Sequence, residues 1–477
     1  MDDAELLKLL YTFNPWWEGK TVSVPEKKRR DYYVLLKALE DKQITAILGP
    51  RRVGKSVLMQ QLITQLLEEK VNPKSILFVR LDEPRFDQEK GLLINRLLEV
   101  YLKYVLESEL GSYPKKIYIL LDEIQHVEKW NETLKSYYDR GYKIKFVVSG
   151  SSAAGITKGS SESLAGRISI HLVMPLKFID YLKFKGINGN IENVSFRLRE
   201  SLKSAIEKGN ASDFVKGLNN NLSNAVQKQA QIERLLSEYM IKGGYIELIE
   251  NKDYAWCAKY LQDLMQLVIY KDIVKVFGIR NPKAMEDLLL FLGNHSSELF
   301  SETSASSKLN MKQETVGEYL DYLEEVFLAR RSAIYSKNRS KQLRNPKKVY
   351  ICDTGIRNVL NGTYSRSALR DSKDVGLMAE TVAHDHLVRL AFHLNSYDPK
   401  CYYWKNGKEI DNVIVHGKKA IPIEVKYKND IVSEDSKCCS EFIVRNDSPF
   451  GIVITKDKFS HKDKIIFVPF WYFLLLC

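Results

Sequence analysis

ITAILGPRRVGKS, residues 44–56, is the stretch on which the reading of the whole chain turns. Ile44 to Leu48 is an apolar run of strand length that enters a loop at Gly49 and Pro50. The loop closes on Gly54-Lys55-Ser56, which completes a G-x-x-x-x-G-K-S pattern. Beyond it, Val57, Leu58, Leu62, Ile63, Leu66 and Leu67 recur at helical spacing up to Glu69. Strand, glycine loop and helix in that order make a phosphate cradle. The glycines let backbone N–H groups turn inward, and the helix start adds the positive end of its dipole. The residues expected around the phosphates of ATP are Gly49, Pro50, Arg51, Arg52, Val53, Gly54, Lys55, Ser56 and Val57. Lys55 is expected to reach the β- and γ-phosphates, and the Ser56 hydroxyl to ligate Mg²⁺.

Two later strands complete such a site. KIYILLDEIQ, residues 116–125, holds a continuous apolar strand that ends in Asp122-Glu123. A parallel strand buried on both faces reads this way, and its carboxyl end is where an open α/β sheet places its ligand. Asp122 is expected to hold Mg²⁺ through water, and Glu123 to polarise the attacking water. KFVV, residues 145–148, runs into Ser149-Gly150-Ser151-Ser152. Ser149 and Ser151 both fit a contact to the γ-phosphate or the water, and the sequence does not separate them. Arg167 is a candidate arginine finger, in its own or a neighbouring subunit; the second case requires a homo-oligomer. The N-terminal FNPWWEG, residues 13–19, and the basic run at 27–30 either pack over the nucleotide base or form an ordinary helix and loop.

Composition narrows the class. A chain of 477 residues, 44% hydrophobic and 28% charged, is a globular protein of about three domains. The net charge of +12 favours a polyanionic partner. Six scattered cysteines with no C-x-x-C pair exclude a readable disulfide framework or zinc site and fit a reducing compartment. The start, MDDAELLKLL, lacks a signal-peptide pattern, and the apolar end, FVPFWYFLLLC, is too short to span a bilayer. That end is expected to be the last core strand or helix. A cytoplasmic protein with no membrane partner is expected.

From Leu176 to about Lys283 the strand signal disappears, which predicts a helical lid with a polar insertion near 190–235. Residues 284–348 then give helices followed by a strand pair, Ala329 to Tyr335 and Val349 to Cys352. The connecting loop carries Lys337, Arg339, Lys341, Arg344, Lys347 and Lys348 and no acidic residue. Helices and then a basic hairpin predict a winged helix, and the cations suit DNA phosphates.

The last part of the chain carries a second constellation. In PIEVKY, residues 422–427, strand alternation puts Glu424 and Lys426 on one face. Asp411 lies on the facing strand of the same hairpin. Glu380 falls on the apolar stripe of a helix expected over Gly376 to His393, a costly place for a carboxylate without a partner. Glu380, Asp411 and Glu424 together predict a site for Mg²⁺ or Mn²⁺, with Lys426 positioning a water.

These motifs carry a resemblance. Residues 1–280 resemble the AAA-type P-loop ATPases of archaea and bacteria, on GPRRVGKS (49–56), LLDEIQ (120–125), SGSS (149–152) and LAGR (164–167). Residues 284–477 look like the region that commonly follows them: a winged helix, YICDTGIRNVL (350–360), and a PD-(D/E)xK restriction-endonuclease-like domain. Asn412, where that pattern usually has an apolar residue, and the long polar insertion depart from it. The resemblance implies an α/β fold with a P-loop parallel sheet and N-terminal extension (1–175), a helical lid (176–283), a winged helix (284–348) and an α/β nuclease-like domain (349–477). It implies that ATP turnover controls a DNA-binding, Mg²⁺-dependent nuclease. The alternative is a nucleotide-dependent switch that binds DNA or protein without cutting.

Overall fold

Five short apolar runs in the first part of the chain become one parallel sheet. They are β1 (Ile44–Leu48), β2 (Ile76–Arg80), β3 (Ile117–Asp122), β4 (Ile144–Gly150) and β5 (Ile168–Leu172), in the order β2-β3-β4-β1-β5. The computed structural model describes residues 1–86, 92–152, 164–187, 191–394 and 400–477, apart from the side chains of 223–225. The chain divides into two compact units, Met1–Met174 and Pro175–Cys477. Every pairing in the first sheet is parallel, and register sets Leu48 beside Gly150, and Leu121 beside Val148. The carboxyl ends of β1, β3 and β4 therefore share one edge, where the phosphate loop begins.

The N-terminal aromatics work elsewhere. β2 is an edge strand, and an open edge needs its backbone groups covered. Asn14 does this with its side-chain amide, donating to the Phe78 carbonyl at 2.9 Å and accepting from the Phe78 N–H at 2.7 Å. Trp16 and Trp17 both donate their indole N–H to the Ile76 carbonyl, at 3.1 and 2.9 Å. FNPWWEG is thus a cover for β2, three strands away from β1, and of its two alternatives it takes the ordinary helix and loop.

The second unit is helical as far as Asn294, as the missing strand signal predicts. Ile191–Lys208, Ser212–Val226 and Gln229–Lys242 are helices; residues 188–190, within the predicted insertion, lie outside the described residues. After the helix Pro282–Asn294 come β6 (Glu298–Phe300), two helices (Glu302–Leu309 and Gln313–Glu325), β7 (Ala329–Ser332), a short helix (Arg339–Arg344) inside the expected basic loop, and β8 (Lys347–Ile351). These strands make an antiparallel sheet in the order β6-β8-β7. The strand predicted to reach Tyr335 leaves this sheet after Ser332. Tyr335 N–H donates to the Tyr403 carbonyl at 2.5 Å, and Tyr403 N–H to the Ala333 carbonyl at 3.0 Å, so the hairpin extends the next sheet.

That sheet holds β9 (Cys401–Asn406), β10 (Lys408–His416), β11 (Lys419–Lys426), β12 (Gly451–Thr455), β13 (Ser460–Lys462) and β14 (Ile465–Pro469), in the order β13-β14-β12-β11-β10-β9. Helix Ser372–Leu394 precedes it in sequence, and helix Lys437–Asn446 connects β11 to β12. The apolar C-terminus becomes β14 followed by a fully buried helix, Phe470–Leu476. Trp471, Phe473 and Leu475 share one core with Phe178, Leu198, Leu235, Leu387 and Ile423. All six cysteines are buried and unpaired, and no helix among the described residues is long and apolar enough to cross a membrane.

The YICDTGIRNVL stretch is a clamp on the helix Gln229–Lys242. Asp353 caps the helix Thr354–Leu360, accepting from Ile356 N–H at 3.2 Å, and also accepts from Gly244 N–H at 2.8 Å. Asn358 Nδ2 donates to the Met240 and Ile241 carbonyls at 2.9 and 3.0 Å. Gly243 must be glycine, because a Cβ there would lie 2.1 Å from the Asp353 carboxylate. Replacing Asp353 with Ala removes the cap and strands a buried N–H, a cost of about 2 kcal/mol. Urea unfolding of Asp353→Ala should show a lower midpoint at unchanged slope.

Candidate functional site

The phosphate loop is held from both sides before any ligand is considered. A Cβ at Gly49 would come 1.8 Å from the Val173 carbonyl oxygen, so the loop can leave β1 only as glycine. Gly54, at φ 91°, turns the chain into the helix Lys55–Glu68, and Arg52 takes φ 61°. Lys55 is buried, and its ammonium donates to the Gly49 and Pro50 carbonyls at 2.9 Å each. The lysine thus spans the loop it belongs to.

Asp122 is the centre of the site. Ser56 Oγ, in the first turn of the loop helix, donates to its Oδ2 at 2.6 Å. Ser149 Oγ, on β4, donates to its Oδ1 and accepts from the Glu123 N–H at 3.0 Å. Burial pushes the Asp122 carboxyl up; the Ser149 and Ser56 hydroxyls and the Lys55 charge oppose it. Glu123 sits at φ 57°, a left-handed conformation that costs a non-glycine residue and recurs at functional sites. Gln125 Nε2 donates to Glu123 Oε2 and, at 3.1 Å, to Ser151 Oγ. The two serines therefore separate: Ser149 serves Asp122 and the Glu123 backbone, while Ser151 supports the Glu123 side chain through Gln125. A hard carboxylate joined to a serine hydroxyl at the start of the loop helix fits Mg²⁺ beside phosphates.

Arg167 does not join them. It immediately precedes β5, and its carbonyl accepts from Ile44 N–H at 2.8 Å, at the amino end of β1. The loop leaves the other end of β1, roughly 13 Å further along for a strand of this length. The guanidinium pairs with Asp139 in two bonds, Nε at 2.7 Å and Nη2 at 3.3 Å. An arginine finger acting on its own chain's loop is thereby corrected: Arg167 lies on the wrong edge of the sheet.

The structure adds a residue that sequence reading passed over. Arg29 is 4% exposed; its Nη1 donates to the Val53 carbonyl at 2.9 Å and its Nη2 to the Met174 carbonyl at 2.7 Å. One guanidinium therefore fastens the phosphate loop to the segment that follows β5. The only trace in the sequence is its place in the basic run at 27–30, which does not single out one residue.

The C-terminal constellation is also brought together. Glu424 and Lys426 share a face of β11, with Lys426 Nζ 2.5 Å from Glu424 Oε1. Asp411 N–H donates to Glu424 Oε2 at 3.4 Å, and Asp411 Oδ2 accepts from Val425 N–H at 3.0 Å. Glu380 faces them from the helix Ser372–Leu394. Burial, with the Asp411 charge, pushes the Glu380 and Glu424 carboxyls up, against the opposing charges of Lys348 and Lys426. Lys348, counted above among the DNA-facing cations, instead enters this cluster and is 2% exposed. Burial opposes its charge, but Tyr350, Glu380, Asp411 and Glu409 outweigh it and hold its pKa above the ordinary lysine value. Among the described residues, no group of three or more His, Cys, Asp or Glu stands placed to hold a metal ion, and Glu380, Asp411 and Glu424 instead meet the ammonium groups of Lys348 and Lys426. Asn412, the departure from the expected pattern, is buried, and its Oδ1 pairs with His384 Nδ1 at 2.8 Å.

Comparison with known proteins places the two units differently. Residues 41–182 match the family model described as an AAA domain. Residues 233–367 and 375–473 match two models described as domains of unknown function, DUF8612 and DUF4143. An uncharacterized protein of Methanocaldococcus jannaschii is 26% identical over 468 residues, covering 94% of this chain and 90% of that protein. An uncharacterized protein of Haemophilus influenzae is 23% identical over 319 residues, covering 66% of this chain and 68% of that protein. Among solved structures, the Aeropyrum pernix ORC2 protein in its ADP form overlaps with a TM-score of 0.32 at 12% identity, covering 72% of this chain and 97% of that one. An overlap that shallow transfers neither shape nor activity. The match over residues 41–182, with the loop geometry above, gives this chain an ATPase-like AAA domain.

Arg29→Ala would leave two buried carbonyls without their donor, at a cost of about 3 kcal/mol. The expected result is a lower unfolding temperature together with faster amide hydrogen exchange over residues 50–54.

Proposed function

We propose that the protein binds and hydrolyses ATP at the 49–57 loop and that nucleotide occupancy controls DNA binding by the second unit. The observation that carries the ATP reading is the shared carboxylate: Ser56 and Ser149 both donate to Asp122. It ties the loop helix and the ends of two neighbouring strands into one polar centre. Loop N–H groups and Lys55 bind the β- and γ-phosphates. Ser56 and Asp122 offer the oxygens for Mg²⁺, which would neutralise phosphate charge. Glu123 orients the attacking water and accepts its proton, and Ser151 with Gln125 holds the Glu123 carboxylate in place. Arg167 has no part in this scheme within one chain.

For the second unit, two readings follow the same order of elements. Helix, three antiparallel strands, helix and parallel strand, with Glu424-x-Lys426 beside Asp411, support a PD-(D/E)xK-like domain. The helices and three-stranded sheet before it support a winged helix, whose exposed Lys337, Arg339, Lys341 and Arg344 suit a phosphate backbone. A Mg²⁺-dependent nuclease is one reading. A domain that binds DNA without cutting is favoured by one observation: Lys348 and Lys426 already occupy the carboxylates.

Glu123→Gln should keep ATP affinity and lower turnover roughly 100-fold or more. Wild-type turnover in that variant would remove Glu123 from its role. The double variant Arg339→Ala/Arg344→Ala should weaken duplex binding uniformly across sequences and reduce the slope of log affinity against log salt by about 2. Fluorescence anisotropy between low and moderate salt reads both quantities.

A further inference from the structure

The second unit contains three carboxylates from a helix and two paired strands, a set of hard oxygens that on sequence grounds suits a divalent ion. The residues present do not fit one. The Lys348 ammonium lies 2.6 Å from Glu409 Oε1, 3.1 Å from Glu380 Oε1 and 3.6 Å from Asp411 Oδ1. Tyr350 adds its hydroxyl to Glu380 Oε1 at 3.2 Å. Of the other oxygens, Asp411 Oδ2 takes the Val425 N–H, Glu424 Oε1 takes Lys426, and Glu424 Oε2 takes the Asp411 N–H. Mg²⁺ would need oxygens at about 2.1 Å in near-octahedral array, and at least one oxygen of each of the three carboxylates is already held by a protein donor or cation.

We infer that Lys348 is the built-in counter-ion of this cluster, and that the cluster is an ion-pair lock between two sheets and not a metal centre. Lys348 stands on β8, which pairs with β6 and β7 in the small antiparallel sheet. Its partners Glu409 and Asp411 stand on β10, in the six-stranded sheet, and Glu380 stands on the helix Ser372–Leu394. The same β-hairpin that carries the exposed cations of residues 337–344 is thus anchored at its return strand by one buried charge. A buried ion pair is a weak source of net stability, but removing one partner is costly, because the others are left buried and uncompensated. That asymmetry makes Lys348 a register device: β8 docks only where its ammonium meets the carboxylates. The inference deepens the non-cutting reading of the second unit and does not depend on the ATP reading.

The test uses the full chain free of nucleotide. Mn²⁺ is titrated and followed by electron paramagnetic resonance, with wild type compared to Asp411→Asn and, separately, thermal unfolding of Lys348→Met compared to wild type. The expected result is the same Mn²⁺ uptake in wild type and Asp411→Asn, and a fall of roughly 10 °C for Lys348→Met. Mn²⁺ uptake by wild type that Asp411→Asn abolishes would overturn the inference. So would an unchanged unfolding temperature in Lys348→Met. If Lys348→Met does not fold, the lock is supported, and the Mn²⁺ comparison between the other two proteins still decides the metal question. Glu123→Gln turnover reports on the ATP reading alone, so the two can fail separately.

Discussion

The N-terminal unit depends on one buried carboxylate, Asp122, accepting from two serine hydroxyls. A carboxylate this deep is unfavourable unless its oxygens are occupied, and here the donors come from two separate places in the chain. Ser56 can reach it only if β1 and β3 stop at the same edge, and Ser149 only if β4 lies between them. The strand order β2-β3-β4-β1-β5 does this. Parallel register, glycine at residue 49 and the left-handed turn at Glu123 are consequences of bringing these groups to one point. The backbone strain at Glu123 is offset by the Gln125 and Ser149 contacts that hold it there.

What sequence reading recovers here is local. The strands at 44–48 and 117–122, the loop helix, and the pairing of Glu424 with Lys426 on one face all follow from periodicities of two or 3.6 residues. The helical stretch after Leu176 and the helices before the basic hairpin are legible on the same ground. The failures share a cause as well. Arg29 meets Met174, Trp16 meets Ile76 and Lys348 meets Glu380 through contacts of long sequence separation, and no window in the chain contains both partners. Arg167 as a finger on its own chain's loop is lost for a related reason: the sequence marks it as next to a strand but does not tell which end of the sheet that strand end occupies.

The second unit shows the same limit at larger scale. Its core joins helices near the start, such as the one carrying Leu198 and Leu202, to the final helix with Trp471 and Leu475. The small sheet β6-β8-β7 intervenes in sequence between them. Asp353 and Asn358 explain how the path closes: they seize the carbonyl end and following glycines of Gln229–Lys242, so the chain returns to the early helices before it begins the last sheet. Boundaries drawn from changes of composition follow the chain, whereas the core follows the clamp.

Net charge is the last place where the two descriptions part. An excess of +12 favours a polyanionic partner, yet part of the positive charge is interior. Lys145 is buried and donates to the Asp41 and Gln43 carbonyls, and burial pushes its pKa down to about 8. Lys242 donates to the Leu248 and Asn251 carbonyls. Arg29 and Lys55 likewise end on backbone oxygens, and Lys348 on carboxylates. Each of these cations fixes a loop or a strand and is unavailable to a phosphate backbone. Long-range attraction sums all charges, but contact counts only those that water can reach. The hairpin illustrates the difference within a few residues: Lys337, Arg339, Lys341 and Arg344 are exposed, while Lys348 is turned inward and spent on the fold. The basic character of the chain therefore supports a DNA partner only through such exposed groups, and the hairpin concentrates four of them beside the strand that Lys348 anchors.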